Sequence, residues 1–390
     1  MMPSVRNWSI LLLTAALAAG VVIYAGRLSM PTPEAKLIAS VTDTELKKMI
    51  GQMIIIGFRG TQASPESEIV KAIKDLNLGG VFLSDYDIPS QSFPRNITGP
   101  EQVKELISDL KTYSPSLFVA VDAEGGKVNR LKPEYGFAAI LSASEMGKDK
   151  TGAITSQEAK KLASELQEAG FNMNFAPVVD LNINPQNPII GGLGRSFSAD
   201  PENVINQAQA FIREHHLYDI ITVPKHFPGH GSSTTDSHMG LVDVTYAYKN
   251  IELNPYIELQ KENLLDAVMV GHIINKNIDK DLPATLSPAF LQTILRQQIG
   301  FQGVIISDDM QMGAIASQYE LKDSLVKAIN AGCDIVAFSN NSQTIAYDKD
   351  LAYKVVDAIF EAVKEKQIPR QRIIESFKNI VALKKKFGFI

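Results

Sequence analysis

Cysteine is nearly missing from this chain of 390 residues, in which Cys333 is the only one. A lone thiol excludes an internal disulfide and leaves the cell compartment undetermined. Cys333 lies just ahead of the apolar run 335–338, a position typical of a small buried side chain. We therefore expect Cys333 to belong to the core and to have no chemical role.

Long runs of one charge are also missing. The chain has 38 basic and 43 acidic residues and a net charge of −5, and its basic cluster at 384–386 is short. Nucleic acid is therefore not an expected partner. With 45% hydrophobic and 21% charged residues, the composition is that of a globular protein with a sizeable core.

One long apolar run is present, at residues 8–25, where it follows Arg6. Its length lies close to the boundary of roughly 18 residues between signal-peptide cores and membrane-spanning helices. We expect residues 1–26 to be a signal peptide or, preferably, an uncleaved inner-membrane anchor, and 27–40 to be a linker. The basic residue ahead of the run then places 41–390, the predicted catalytic domain, outside the cytoplasm, with the N-terminal segment as its sole membrane contact.

A repeated theme fills residues 41–390, namely a short apolar, β-branched run followed by a longer amphipathic stretch. Eight such runs are found, at 53–57, 80–83, 117–121, 171–175, 220–223, 267–270, 304–306 and 335–338. Strands that alternate with helices form parallel sheets, and eight of them predict a closed (β/α)₈ barrel of the TIM type. A doubly wound open sheet is the alternative, disfavoured because no glycine-rich dinucleotide fingerprint follows the first run.

Polar residues follow most of these runs. They are Asp122, Glu124 and Arg130 after the third, Arg195 after the fourth, Lys225 and His226 after the fifth, His272 after the sixth, and Asp308 and Asp309 after the seventh. In (β/α)₈ barrels the active site lies at the carboxyl ends of the strands. We therefore expect these side chains to converge, with Glu124 and Asp309 as structural supports.

The densest polar segment is 225–238, where Pro228 and two glycines exclude a helix. It carries His238 two residues after Asp236, whereas Asp308 lies on another strand. A carboxylate and a distant imidazole suit displacement at an anomeric carbon, with Asp308 as nucleophile and His238 as the acid and then the base. Asp236 would orient the imidazole of His238.

Two other classes of function use the same residues. His226, His230 and His238 could bind a metal in a barrel hydrolase, but the Pro-Gly break excludes the helical two-histidine face common in such enzymes. We expect no metal and no cofactor, and His230 is predicted to hold the loop. A non-catalytic, membrane-tethered glycan-binding protein is disfavoured because Asp308 and His238 are both present.

Several motifs together resemble glycoside hydrolase family 3, specifically its β-N-acetylglucosaminidases, over nearly all of the chain after the linker. The motifs are at 51–53, 122–130, 225–231, 236–238, 283–287 and 307–310. Residues 191–194, a glycine-rich stretch before Arg195, depart from the family's usual pattern.

The resemblance implies that Asp308 is the nucleophile and that His238, backed by Asp236, is the acid/base. It also implies that five residues bind the terminal sugar, namely Asp122, Arg130, Arg195, Lys225 and His226. The implied activity is that of an exo-acting, retaining β-N-acetylhexosaminidase. Its substrates would be peptidoglycan-derived glycans or muropeptides with a terminal N-acetylglucosamine. A β-N-acetylglucosaminide phosphorylase and a β-glucosidase of the same fold stay open as alternatives.

Overall fold

The computed structural model describes residues 40–235 and 240–390. The predicted signal or anchor segment, 1–26, lies outside the described residues, as do nearly all of the predicted linker and both Asp236 and His238. Among the helices that are described, none is both long and apolar enough to span a membrane. Residues from Leu46 to Ile390 form one compact unit.

Eight parallel strands form the central sheet. They are β1 (Ile54–Gly57), β2 (Gly80–Leu83), β3 (Phe118–Val121), β4 (Met173–Asn174), β5 (Ile221–Thr222), β6 (Ala267–Val270), β7 (Val304–Asp309) and β8 (Ile335–Phe338). Their order in the sheet is β5-β4-β3-β2-β1-β8-β7-β6, so β5 and β6 lie at its two ends. The predicted strand runs are thus all present, in parallel and in sequence order around the sheet.

The gap between β5 and β6 is bridged just beyond the end of β5. Phe227 pairs with Val270 in parallel fashion, and its backbone N–H donates to the carbonyl oxygen of Met269 at 2.9 Å. The N–H of Met269 in turn donates to the oxygen of Pro224 at 3.0 Å. The sheet is therefore a nearly closed barrel, as predicted, and not a doubly wound open sheet.

A helix follows each strand of the barrel. In chain order these helices are Glu68–Leu76, Pro100–Tyr113, Ala153–Ala169, Pro201–His216, Asn254–Lys261, the π-helix Ala289–Gln298, Leu321–Ala331 and Leu351–Lys364. Asp43–Gln52 precedes β1, Arg370–Lys386 follows the last pair, and short helices lie at Ala143–Met146 and Gly313–Ala316. The helices cover the outer face of the sheet, which explains why β1, β2, β3, β6 and β8 are buried at every position.

Strand β4 is shorter than the predicted run 171–175 because two asparagine side chains replace part of the backbone pairing with the β3 segment. The amide of Asn172 accepts from the N–H of Val119 at 2.7 Å and donates to the oxygen of Leu117 at 2.9 Å. The amide of Asn174 accepts from Ala123 N at 3.1 Å and donates to its oxygen at 3.0 Å. The pattern of apolar residues cannot show that side-chain amides take the place of backbone hydrogen bonds here, since both asparagines lie within an otherwise apolar run.

Cys333 lies two residues before the start of β8 and is fully buried, as the sequence predicts. Burial raises the pKa of its thiol to about 12. Because the thiolate is the reactive form, this cysteine is chemically inert near neutral pH.

Candidate active site

A cavity of about 250 Å³ lies at the carboxyl ends of the barrel strands. Its charged and imidazole lining comes from Asp122, Glu124, Arg130, Arg195, Lys225, His226, Asp308 and Asp309. Its apolar lining includes Ile55, Phe82, Phe175, Met269 and Phe338. The structure therefore brings together six of the eight predicted site residues, while Asp236 and His238 lie outside the described part of the chain.

Glu124 lies at the centre of the charges in this cavity. It accepts from Arg195 through two parallel bonds of 2.8 Å, from Nε and Nη2, and from Lys225 Nζ at 2.7 Å. Burial alone would raise the pKa of Glu124, but the charges of Arg195 and Lys225 lower it to about 2. The expected support is therefore an ionised carboxylate that fixes two buried cations.

Asp122 is the second anion of this group. Lys225 Nζ donates to its Oδ1 at 2.8 Å, and Arg130 Nη2 lies 3.5 Å from its Oδ2. Burial opposes ionisation of Asp122, but the charges of Lys225 and Arg130 lower its pKa. The same pairing with Asp122 and Glu124 raises the pKa of Lys225 against the effect of burial. Asp122 and Lys225 thus both carry their charge at neutral pH.

His226 has partners on both ring nitrogens. Its Nδ1 lies 2.7 Å from Asp180 Oδ2, and its Nε2 lies 3.3 Å from Arg195 Nη2. Since a guanidinium can only donate, Nε2 accepts and the ring proton is on Nδ1, where it is donated to Asp180. His226 thus faces the cavity as a fixed ring whose tautomer is set by its neighbours.

Asp180 organises the loop that starts at Lys225, and the sequence analysis missed it. Fully buried, it accepts from the imidazole of His226 and from the backbone N–H groups of His226 and His230, the latter at 2.8 Å. Although burial opposes ionisation, the interactions with His226 and His230 lower the pKa of Asp180. One sequence feature could have indicated this role. Asp180 is a carboxylate directly after the apolar pair Val178 and Val179, beyond Pro177, where the predicted strand has already ended.

His230 and Asn187 also hold this loop and do not line the cavity. His230 is buried, with its Nδ1 2.8 Å from Ser233 Oγ, and burial lowers its pKa to about 4. The amide of Asn187 donates to the oxygen of His230 at 2.8 Å and to Ser233 Oγ at 2.9 Å. This agrees with the expected role of His230 as a loop-holding residue.

Asp308 and Asp309 end β7 and have different surroundings. Asp308 lines the cavity, and its Oδ1 accepts from the N–H of Asp309 at 2.8 Å. Asp309 accepts from Ser339 Oγ at 2.5 Å, from Ser339 N at 3.1 Å and from Gln311 N at 3.0 Å. Asp309 therefore ties β7 to the residue after β8, as a support does, and leaves Asp308 at the cavity wall.

His272 lies behind these carboxylates and does not line the cavity. Its Nε2 is 3.0 Å from the carbonyl oxygen of Asp309 and its Nδ1 is 2.8 Å from Thr285 Oγ1. The residue therefore positions the end of β7. No group of three or more His, Cys, Asp or Glu side chains arranged to hold a metal occurs within 40–235 and 240–390.

Glu252 supports the loop from beneath and was also missed by the sequence analysis. This buried carboxylate accepts from the N–H of Gly231 at 3.0 Å. Gly229 has φ +129°, and a Cβ there would lie 2.6 Å from the Cβ of Glu252, so glycine is needed at 229 for both reasons. Burial raises the pKa of Glu252 to about 7. No local pattern marks this residue, because its burial arises from tertiary packing.

This raised pKa predicts a dependence of stability on pH. The pKa of Glu252 is about 7 when folded, against an ordinary value of 4.5. The unfolded chain therefore releases its proton first, and the free energy of unfolding falls as pH rises from about 4.5 to about 7, by roughly 3 kcal/mol. Glu252→Gln should remove this fall, as measured by urea unfolding between pH 4.5 and 8. Glu258→Gln, a partly exposed position on the following helix, is the control, and identical pH curves for Glu252→Gln and the unaltered protein would contradict the prediction.

Comparison with known proteins gives consistent matches over the barrel. The family model described as the glycosyl hydrolase family 3 N terminal domain matches residues 45–383. A beta-hexosaminidase of Idiomarina loihiensis is 32% identical over 338 residues, which cover 85% of this chain and 94% of the relative. Beta-hexosaminidase A of Pseudoalteromonas piscicida is 28% identical over 87% of this chain, but the chain spans only 61% of that longer protein.

Solved structures agree with the sequence matches. A glycoside hydrolase family 3 beta-N-acetylglucosaminidase from Paenibacillus sp. str. FPU-7 superposes with a TM-score of 0.79 at 30% identity, covering 88% of this chain and 63% of that one. A beta-N-acetylhexosaminidase from Beutenbergia cavernae has a TM-score of 0.76 at 26% identity, covering 87% of this chain and 98% of that one. With the cavity, its charged lining and the family match over most of its length, the chain belongs to glycosyl hydrolase family 3.

Proposed function

We propose that this glycosyl hydrolase is an exo-acting, retaining β-N-acetylhexosaminidase that removes terminal N-acetylglucosamine from glycans. The observation that carries the proposal is one small cavity in which Asp308 lies among paired anions and cations. Its volume of about 250 Å³ is below the range of about 300–1,000 Å³ typical of pockets for larger ligands. Such a cavity fits one sugar ring at a chain end.

The paired charges suit recognition of hydroxyl groups. Carboxylates accept hydrogen bonds from hydroxyls, whereas guanidinium and ammonium groups donate to them, and bonds that involve a charge are the stronger ones. Asp122, Arg130 and Lys225 offer both kinds on one wall. Because these groups already neutralise each other, a neutral sugar satisfies them without leaving a buried charge unpaired.

Asp308 is proposed as the nucleophile that attacks the anomeric carbon. Its carboxylate would form a glycosyl ester, which water would then hydrolyse, so that two inversions retain the β configuration. The N–H of Asp309 holds one oxygen of Asp308 and so fixes the orientation of the carboxylate. Backing by Asp309 and Ser339 keeps this strand end rigid, as a nucleophile that must meet one carbon atom requires.

The proton for the leaving oxygen must come from an acid that is protonated before attack. Glu124 is unsuitable because its pKa of about 2 keeps it ionised, and cations lower the pKa of Asp122 as well. Asp309 directs both of its oxygens to Ser339 and Gln311, and His226 uses both ring nitrogens. These assignments support the proposal that His238, with Asp236 behind it, supplies the proton, a role that rests on the resemblance of the 236–238 motif.

The substrate class is proposed from the relatives. Proteins similar to this chain are beta-hexosaminidases and a beta-N-acetylglucosaminidase. We extend this to N-acetylglucosamine at the non-reducing ends of peptidoglycan fragments, a role that also agrees with the predicted export of the catalytic domain.

The first prediction from the proposed function concerns Asp308. Asp308→Asn should lower kcat on an aryl N-acetyl-β-glucosaminide by about a thousandfold or more while leaving the inhibition constant of free N-acetylglucosamine little changed, because only a transition-state interaction is removed. Asp323→Asn, which alters an exposed surface carboxylate, is the control. Steady-state kinetics of the three proteins provide the measurement.

Stereochemistry tests the same assignment independently. Proton NMR during early turnover should show the β-anomer of the sugar before mutarotation. Appearance of the α-anomer first would exclude Asp308 as a nucleophile even if its substitution abolished turnover.

A second prediction concerns the sugar and the acceptor. N-acetyl-β-glucosaminides should be cleaved well ahead of β-glucosides, from chain ends only, and with free N-acetylglucosamine as the product whether or not phosphate is present. Chromatography of the products with and without phosphate is the measurement. An equal rate on the glucoside would favour a β-glucosidase. Formation of the sugar 1-phosphate would favour the phosphorylase, a route that an imidazole acid leaves electrostatically open.

A third prediction concerns location. We propose that residues 1–26 carry the enzyme to the inner membrane and leave the barrel on its outer side. Fractionation should then place the full-length protein with the membrane, and protease added to intact spheroplasts should digest the barrel. A protein that stays protected from the protease would contradict this location.

A further inference from the structure

Two aromatic side chains form a stacked pair on the same face of the barrel as the cavity. Phe93, in the segment after β2, and Tyr135, in the segment after β3, have ring centroids 4.8 Å apart and an interplanar angle of 19°. Phe93 keeps 47% of its surface exposed, and Tyr135 is half-buried. We call this pair the aromatic platform.

Buried and half-buried charges connect the platform directly to the cavity. Tyr135 Oη donates to Asp85 Oδ2 at 3.3 Å. Lys132 Nζ lies 2.6 Å from the same oxygen, and Arg130 Nη1 lies 3.9 Å from Oδ1 of Asp85. Arg130 in turn lines the cavity and pairs with Asp122. Only the side chain of Asp85 therefore separates Tyr135 of the platform from Arg130 of the proposed sugar-binding wall.

The segment that carries Phe93 is braced. Asp87 and Ser92 exchange two backbone hydrogen bonds, and Asp87 also accepts from Arg59 and from the buried Arg95. The amide of Asn341, a cavity-lining residue, donates to the carbonyl oxygen of Tyr86 at 2.9 Å and accepts from the N–H of Ile88 at 2.8 Å. These bonds hold the segment against the cavity wall, so the exposed ring of Phe93 is presented in a fixed place.

We infer that the aromatic platform binds the sugar ring on the leaving-group side of the scissile bond. The inference rests on the proposed function, because the cavity takes only the terminal sugar and the next ring must then lie at its mouth. An aromatic ring offers a flat apolar surface of the kind that the C–H face of a pyranose can cover. The cations next to the platform already have anionic partners, Asp85 for Lys132 and Asp122 for Arg130, so the occupant is a neutral ring rather than an anion.

The test separates the leaving-group side from the terminal-sugar cavity. Phe93→Ala should lower kcat/KM for N,N′-diacetylchitobiose by roughly 3- to 10-fold. It should leave the inhibition constant of free N-acetylglucosamine, which fills the cavity alone, unchanged. Phe93→Tyr, which keeps the ring, should restore the rate. Leu217→Ala is the control, because it truncates a side chain that is 76% exposed at the opposite end of the barrel, between a helix and the start of β5.

Each outcome decides one point. An unchanged kcat/KM for the disaccharide in Phe93→Ala would overturn the inference that the platform binds the next sugar. An equally large rise in the inhibition constant of N-acetylglucosamine would also overturn it, since Phe93 would then shape the cavity itself. Wild-type protein that neither cleaves the disaccharide nor is inhibited by N-acetylglucosamine would instead reject the proposed function on which the platform rests.

Discussion

The sharing of one carboxylate by two buried cations sets the geometry of this site. Glu124 pairs with Arg195 and Lys225 at distances of 2.8 and 2.7 Å, and the three residues come from segments after β3, β4 and β5. Withdrawing either cation from water is costly unless an anion meets it with good geometry. The ends of three neighbouring strands are therefore fixed relative to one another before any ligand enters.

Two further buried acids, Asp180 and Glu252, hold the loop at 225–235 in place. Asp180 is ionised and holds His226 and His230, whereas Glu252, whose pKa lies near 7, holds Gly231. The two acids differ because Asp180 has an imidazole partner and Glu252 has no described cation beside it. An ionised carboxylate and a carboxyl group that is about half protonated near neutral pH thus both hold the same loop.

Most of the architecture could be predicted from the sequence because each barrel strand is an apolar run that its neighbouring helices cover. The cavity-lining positions of Asp122, Arg130, Arg195, Lys225, His226 and Asp308 followed from one rule, that parallel strands present their carboxyl ends on one face. Arg195 lines the cavity despite the glycine-rich stretch at 191–194 before it. Its guanidinium group donates to Glu124 and to the carbonyl oxygen of Ile189.

What could not be predicted depends on contacts between residues distant in sequence. Asp180 lies 46 positions before His226, and Asn172 replaces backbone pairing through its side chain, neither of which leaves a periodic signal. The stacking of Phe93 on Tyr135 likewise joins two separate segments. Asp236 and His238 are assigned from their motif alone, and their roles stay predictions.

The bridge between Phe227 and Val270 has a consequence for engineering this enzyme. Phe227 lies between His226 and Pro228, so a few adjacent residues both complete the barrel and supply two groups of the cavity wall. Altering this segment to accept another sugar would also change how the barrel closes. The segment 342–344 also lines the cavity but takes no part in that closure, and it gives a designer the greater freedom.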